Sequence, residues 1–220
     1  MTYKGLQDEL DSRISAAKVT GFWSADAKKE WINFAGQRVC DFKPWEFLKK
    51  ALTITTEDDR EYYDYPDGDD NAFKYNSIYN IVIADEEYFD KDGRKRVTWD
   101  VYKRAKNRES EELIFTNHNK WYMLNPVPEN GKVMSIYGLM RWVKLVNDAD
   151  KPICPSEFDE AIVKLALSTC LRKSKKYNEA NVEMMEVLNP EGGLLMNIWT
   201  QEQDEGPRGY GGVILTSRDV

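Results

Sequence analysis

His118 is the one histidine in the chain, so a zinc site or a Ser-His pair has to be built around it. It stands between Asn117 and Asn119, and a polar Asn-His-Asn run reads as a surface turn. Asp67-Gly68-Asp69-Asp70-Asn71 sets carboxylates at alternate positions, the spacing with which a calcium loop brings oxygens onto one ion. The glycine and glutamate that such a loop needs further along are replaced by Ala72 and Ile78, so a solvated loop is expected. Asn130-Gly131-Lys132-Val133 lacks the upstream glycine and the following hydroxyl of a phosphate-cradling loop and reads as a hairpin turn. The acidic runs Glu57-Asp58-Asp59 and Glu109 to Glu112 have no spacing that acid-base work requires. Cys40, Cys154 and Cys170 are odd in number and lack metal-ligand spacing, which suits reduced thiols. No nucleophile has a recognisable base partner. The expectation is a protein that is not an enzyme, with no cofactor and no metal.

What remains chemically distinctive is positive charge and one apolar tail. Lys91, Arg94, Lys95, Arg96, Lys103, Arg104, Lys106 and Arg108 make one basic segment, and Arg172, Lys173, Lys175 and Lys176 make a second. Either can meet phosphate or an acidic partner. The segment from Gly206 to Val220 holds four glycines and an apolar patch, Val213-Ile214-Leu215, close to Tyr210. Glycine disfavours a helix there, so a flexible arm that a partner orders is expected.

The elements that must position these groups are legible in outline. Leu6, Leu10, Ile14 and Ala17 give an amphipathic helix over 3–18, and Ser24 caps a second over 24–42 with apolar positions Ala27, Trp31, Phe34, Ala35 and Phe42. Residues from about 50 to 146 read as a β-rich insertion. Its strands include 52–56 and 61–65, paired as a hairpin, then 78–83, 113–115, 120–124 and 133–143, with a short helix from Thr98 to Lys106. The spacing of Phe158, Ile162, Leu165, Ala166 and Thr169, continued by Tyr177, Ala180, Met184, Val187 and Leu188, predicts one long helix over 156–189. Ser156 is its cap, and Pro190, Gly192 and Gly193 end it. The fold class expected is α+β, mainly α: a helical bundle around one long C-terminal helix, with the insertion and the C-terminal arm. The folded body is 1–205 and the arm 206–220.

The totals set bounds. A chain of 220 residues, 41% hydrophobic, can bury one core with a small subdomain. A net charge of -7 excludes wholesale DNA condensation but suits a wall that repels DNA along a path. No apolar run approaches the ~20 residues that cross a bilayer, and the opening MTYKGLQDEL has no apolar signal core, so membrane residence and secretion by that route are not expected.

The order of several stretches is more telling than any one of them. Trp31-Ile32-Asn33-Phe34-Ala35, Trp45-Glu46-Phe47-Leu48, Thr53-Ile54-Thr55-Thr56 with Tyr65-Pro66, Trp121 to Pro128, Ile136-Tyr137-Gly138-Leu139-Met140-Arg141, and Pro152-Ile153-Cys154-Pro155-Ser156-Glu157-Phe158 follow one another over most of residues 3 to 190. In that order the chain resembles the head-to-tail adaptor (connector) proteins of tailed bacteriophages. It departs from them in its long basic segment from Lys91 to Arg108. The resemblance implies a structural protein of the virion neck, assembled in the host cytoplasm. It also implies a homo-oligomeric, dodecameric ring that seats on the portal protein, receives a tail hub or nozzle protein, and passes viral double-stranded DNA through its lumen. On that reading Tyr210, Val213, Ile214 and Leu215 dock on the portal, and Arg172, Lys173, Lys175 and Lys176 face a neighbouring subunit or the lumen. The alternative is a nucleic-acid-binding protein that uses residues 91–108. A hydrolase holding a metal at Asp67 to Asp70 is a third class.

Overall fold

The computed structural model of the chain describes residues 1–19, 23–66, 73–74, 77–84, 94–110, 112–118 and 121–204. The chain divides into two compact units, one formed by Met1–Phe47 with Trp142–Val220 and the other by Leu48–Arg141. Helix and strand are both well represented, which makes this an α+β protein.

In the first unit, Thr2 caps α1 (Tyr3–Ala16), its hydroxyl accepting the Gly5 amide at 3.2 Å, and Ser24 caps α2 (Ala25–Phe42) through the Ala27 amide at 3.2 Å. Both caps satisfy amides that a helix start leaves free. Tyr3, Leu6 and Leu10 are the buried stripe of α1. The buried face of α2 overlaps the expected one only at Ala35: Ile32, Asn33, Gly36, Val39 and Cys40 are buried with it, while Phe34 is 55% exposed. The reason is close approach. A Cβ on Gly36 would lie 2.3 Å from the Trp142 ring, so the small residues of α2 admit an indole that larger ones would exclude. Asn33 is recruited to the same face. Its amide group donates to the Leu145 and Lys29 carbonyls and the Tyr3 hydroxyl, and its oxygen accepts from Trp142 Nε1 at 3.0 Å and the Leu145 amide at 2.7 Å.

The long helix over 156–189 is corrected to two. Ser156 lies inside a 3-10 turn (Ser156–Phe158) rather than at a cap, α4 runs Asp159–Lys173, and α5 runs Tyr177–Leu188. Lys175 sits at φ 62, in the left-handed region that terminates helices, and the amides of Ser174, Lys175 and Lys176 close the turn on Cys170, Arg172 and Leu171. The side-chain pairs Arg172–Asn181 and Lys164–Glu186 show the two helices running antiparallel. α4 is buried on nearly every side, from Ala161 to Leu171, because α1, α2 and α5 all pack on it. A further helix, α6 (Leu194–Asp204), follows where only a stop was expected. Its Trp199 meets Trp45 edge-on at 5.4 Å, and Trp45, fully buried, also meets Phe158 at 4.9 Å and donates its indole N–H to the Val39 carbonyl at 2.7 Å.

The second unit holds two sheets and one helix. β1 (Lys49–Thr55), β2 (Tyr62–Asp64), β3 (Asn80–Ala84), β4 (Lys95–Arg96), α3 (Trp99–Asn107), β5 (Ile114–His118), β6 (Trp121–Asn125) and β7 (Val133–Leu139) follow in order. One sheet is β1-β7-β3 and the other β2-β6-β5-β4. The hairpin expected from 52–56 and 61–65 therefore does not form, since β1 pairs with β7 and β2 with β6. Thr56 explains the parting: its amide and hydroxyl bond to Lys132 and Glu129, which zips the end of β1 to the approach of β7. Gly131, at φ 75, makes the turn there, but the turn joins strands of different sheets. α3 buries Tyr102 and Ala105 against Ile114.

Candidate functional site

His118 lies on β5 rather than in a turn, half-buried with its ring stacked on Trp99 at 4.4 Å. Among the described residues there is no group of three or more histidine, cysteine, aspartate or glutamate side chains placed to hold a metal. Asp67 to Asn71 and Lys91 lie outside the described residues, as do Tyr210, Val213, Ile214 and Leu215. The three thiols are buried, and burial pushes the Cys170 thiol up to about 11 and the Cys154 thiol higher still. Neither is poised as a nucleophile.

The first basic segment is divided, with Lys95 and Arg96 on β4 and the rest of its described cations, apart from Arg94, on or at the end of α3. Lys103 and Arg104 of α3 and Arg108 at its C-cap are exposed, Lys103 stands 4.9 Å above the Trp99 ring, and Lys106 pairs with Glu61. Arg94 is turned inward and donates to the Pro126 carbonyl at 2.8 Å.

The second segment becomes a corner. Arg172 folds over α5 onto Asn181 and the Met184 sulfur, while Lys173 and Lys175 extend into solvent. Lys176 donates to Glu179 and, at 3.1 Å, to the carbonyl of Ala17. That last bond brings in Lys18, exposed at the end of α1, which nothing in the sequence spacing connects to residues 172–176. The cations thus gather where the C-terminal ends of α1 and α4 point their carbonyl dipoles, a favourable place for positive charge.

Beside the corner, α5 leaves a face uncovered. Tyr177, expected in the core, is 60% exposed, and Val182 and Met185 are 57% and 51% exposed. Val182 and Met185 stand three residues apart on one side of α5 and Tyr177 at its first position; the sequence pattern instead sets Tyr177 on the inward face with Ala180, Met184, Val187 and Leu188. The face ends in an open groove of about 560 Å3 lined by Asn181, Val182, Met185, Glu186, Asn189, Gly192 and Gly193. At this end the charge is negative. Lys164 binds Glu186 at 2.5 Å with Glu160 at 3.7 Å, and the Glu186 bond raises the lysine's pKa. Burial, offset in part by Lys164 and reinforced by Glu186, raises the Glu183 carboxyl. Such a surface can bind a protein by charge and apolar contact.

The model of the SU10 adaptor protein family matches residues 1–202, across both units. The chain belongs to that family. It is accordingly an adaptor protein of bacteriophage, a structural component of the virion that contacts other capsid or tail parts. The match to the adaptor stops short of residues 206–220. No curated protein matches the adaptor chain. Among the described residues no helix is long and apolar enough to cross a membrane.

Proposed function

We propose that this adaptor joins the portal to the tail in the virion neck, as a homo-oligomeric ring through which double-stranded DNA passes. The observation that carries the reading is the uncovered α5 face beside a cationic corner, within a chain of the adaptor family. An exposed apolar stripe with charged flanks is the chemistry of a protein joint. The acidity of the whole chain weakens contact between free copies, so alone they reach only small oligomers and the closed ring forms on its partner. Tyr210, Val213, Ile214 and Leu215 serve as portal contacts in this reading. Each large apolar side chain contributes about 1.5–3 kcal/mol on burial, and each backbone residue costs about 1–2 kcal/mol to order. One arm is therefore weak, and a ring of arms is strong through effective concentration.

The test is co-sedimentation of the full chain, and of a chain lacking residues 206–220, with portals. The full chain is expected to bind in fixed stoichiometry and the shortened one to be lost. A full chain that ignores portals overturns the adaptor reading; a shortened chain that binds at full stoichiometry overturns the role of the arm alone.

A second reading, nucleic-acid contact, is favoured by α3, where Lys103, Arg104 and Arg108 have no carboxylate partner among the described residues. DNA binding that falls steeply with salt and is lost on changing those three to Gln supports it.

A further inference from the structure

The α4–α5 pair is electrically polarised along its length. Its turn end gathers Lys18, Arg172, Lys173, Lys175 and Lys176 around one carboxylate, Glu179. Its open end holds the exposed Glu160, Glu186 and Glu191 and the half-buried Glu183, with Lys164 between them. α5 has 12 residues, so the two ends stand about 18 Å apart at the rise of a helix. That is well beyond the screening length of about 8 Å at physiological ionic strength. The ends therefore cannot neutralise each other within one molecule.

We propose that the basic corner of one copy docks on the acidic, open end of the α4–α5 pair of a second copy, head to tail. Tyr177 is the apolar anchor of this contact, and the groove lined by Val182, Met185 and Asn189 receives it. Lys173 and Lys175 lie over Glu160 and Glu191 of the neighbour. The occupant is a second copy and not nucleic acid for two reasons. The exposed Val182 and Met185 offer phosphates no donor, and the acidic end repels them. A contact between two different patches is heterologous, the kind that propagates into a closed ring when the rotation permits. The inference rests on the adaptor reading for its biological sense but not for its test.

The experiment uses the full chain alone. One variant carries Lys173→Glu and Lys175→Glu; the other carries Glu160→Lys and Glu191→Lys, which spares the Lys164–Glu186 bond. Circular dichroism confirms that each is folded, and sedimentation velocity over a concentration series reads association. Each variant alone is expected to self-associate about tenfold more weakly than the unaltered chain. Mixed in equal amounts they are expected to assemble again, because the reversed corner of one matches the reversed end of the other. A covalent readout covers weak association: Lys175→Cys mixed with Glu191→Cys is expected to give a disulfide-linked pair under oxidation, while the native thiols stay buried. Variants that associate like the unaltered chain overturn the proposal. So does a mixture that stays dissociated, or an absence of both assembly and cross-linking. No portal or tail component is present, so this result is independent of the co-sedimentation test.

Discussion

The amide of Asn33 bonds to α1 through Tyr3, to its own helix through Lys29, and to the segment after the insertion through Trp142 and Leu145. Buried donors left without an acceptor are costly, so Asn33→Ala is expected to destabilise the chain by about 2–4 kcal/mol, measured by denaturant unfolding. Sequence pattern could not show this, because a polar residue one step from Phe34 on a helix reads as solvent-facing; only the indole that enters over Gly36 turns it inward. The neighbouring phenol gives a pH signature. Burial pushes Tyr3 up to about 12 from 10.0 against the opposing bond from Asn33, and burial raises Tyr102 and Tyr122 as well. A group with a raised folded pKa releases its proton first in the unfolded chain. Its stabilisation is therefore whole below pH 10 and is lost as pH rises through 12. Alkaline titration followed by tyrosinate absorbance and circular dichroism is expected to show unfolding in that window. Tyr3→Phe should reduce the pH slope there by about one proton.

Among the elements, α6 changes what the C-terminus means. Leu195 is fully buried and Ile198 nearly so, and Trp199 completes the ring of aromatics around Trp45. A chain ending at residue 193 is expected to melt well below the full chain, whereas one ending at 205 should melt close to it; differential scanning calorimetry on the two separates the helix from the arm. The first two helices were legible because the apolar residues recur at helical spacing and Ser24 has the side chain that a start requires; the Thr2 cap, with the same chemistry, appears only in the structure. The break at Ser174 to Lys176 was not. It contains no glycine or proline, and a lysine adopts the left-handed turn because α5 has to return along α4. The β1–β2 hairpin failed for a related reason. Alternation marks a strand but not its partner, and β1 pairs with a strand that begins nearly eighty residues later. The candidate site was half visible: residues 172–176 are plain in the sequence, but Lys18 and the exposure of Tyr177 depend on which helix ends meet.

At the scale of the whole molecule, the charge of -7 is unevenly spread, with cations concentrated on α3 and at the α4–α5 turn. Salt is therefore expected to weaken any assembly made through the corner, leaving only what the apolar contact of Tyr177 with Val182 and Met185 contributes. The pairing that opens and closes the second unit has a different consequence. Lys49 faces Leu139 in the ladder, and the Met140 amide bonds to the Leu48 carbonyl at 2.7 Å, so the chain leaves that unit beside where it entered. A stretch whose two ends meet is a cassette: it can be exchanged for another without disturbing its host. Replacing residues 53–135 with a two-residue Asn-Gly turn is expected to leave the helical signal and melting of the first unit intact. A lineage of viruses could then refit the same helical body for new neighbours by trading the cassette while keeping the joint.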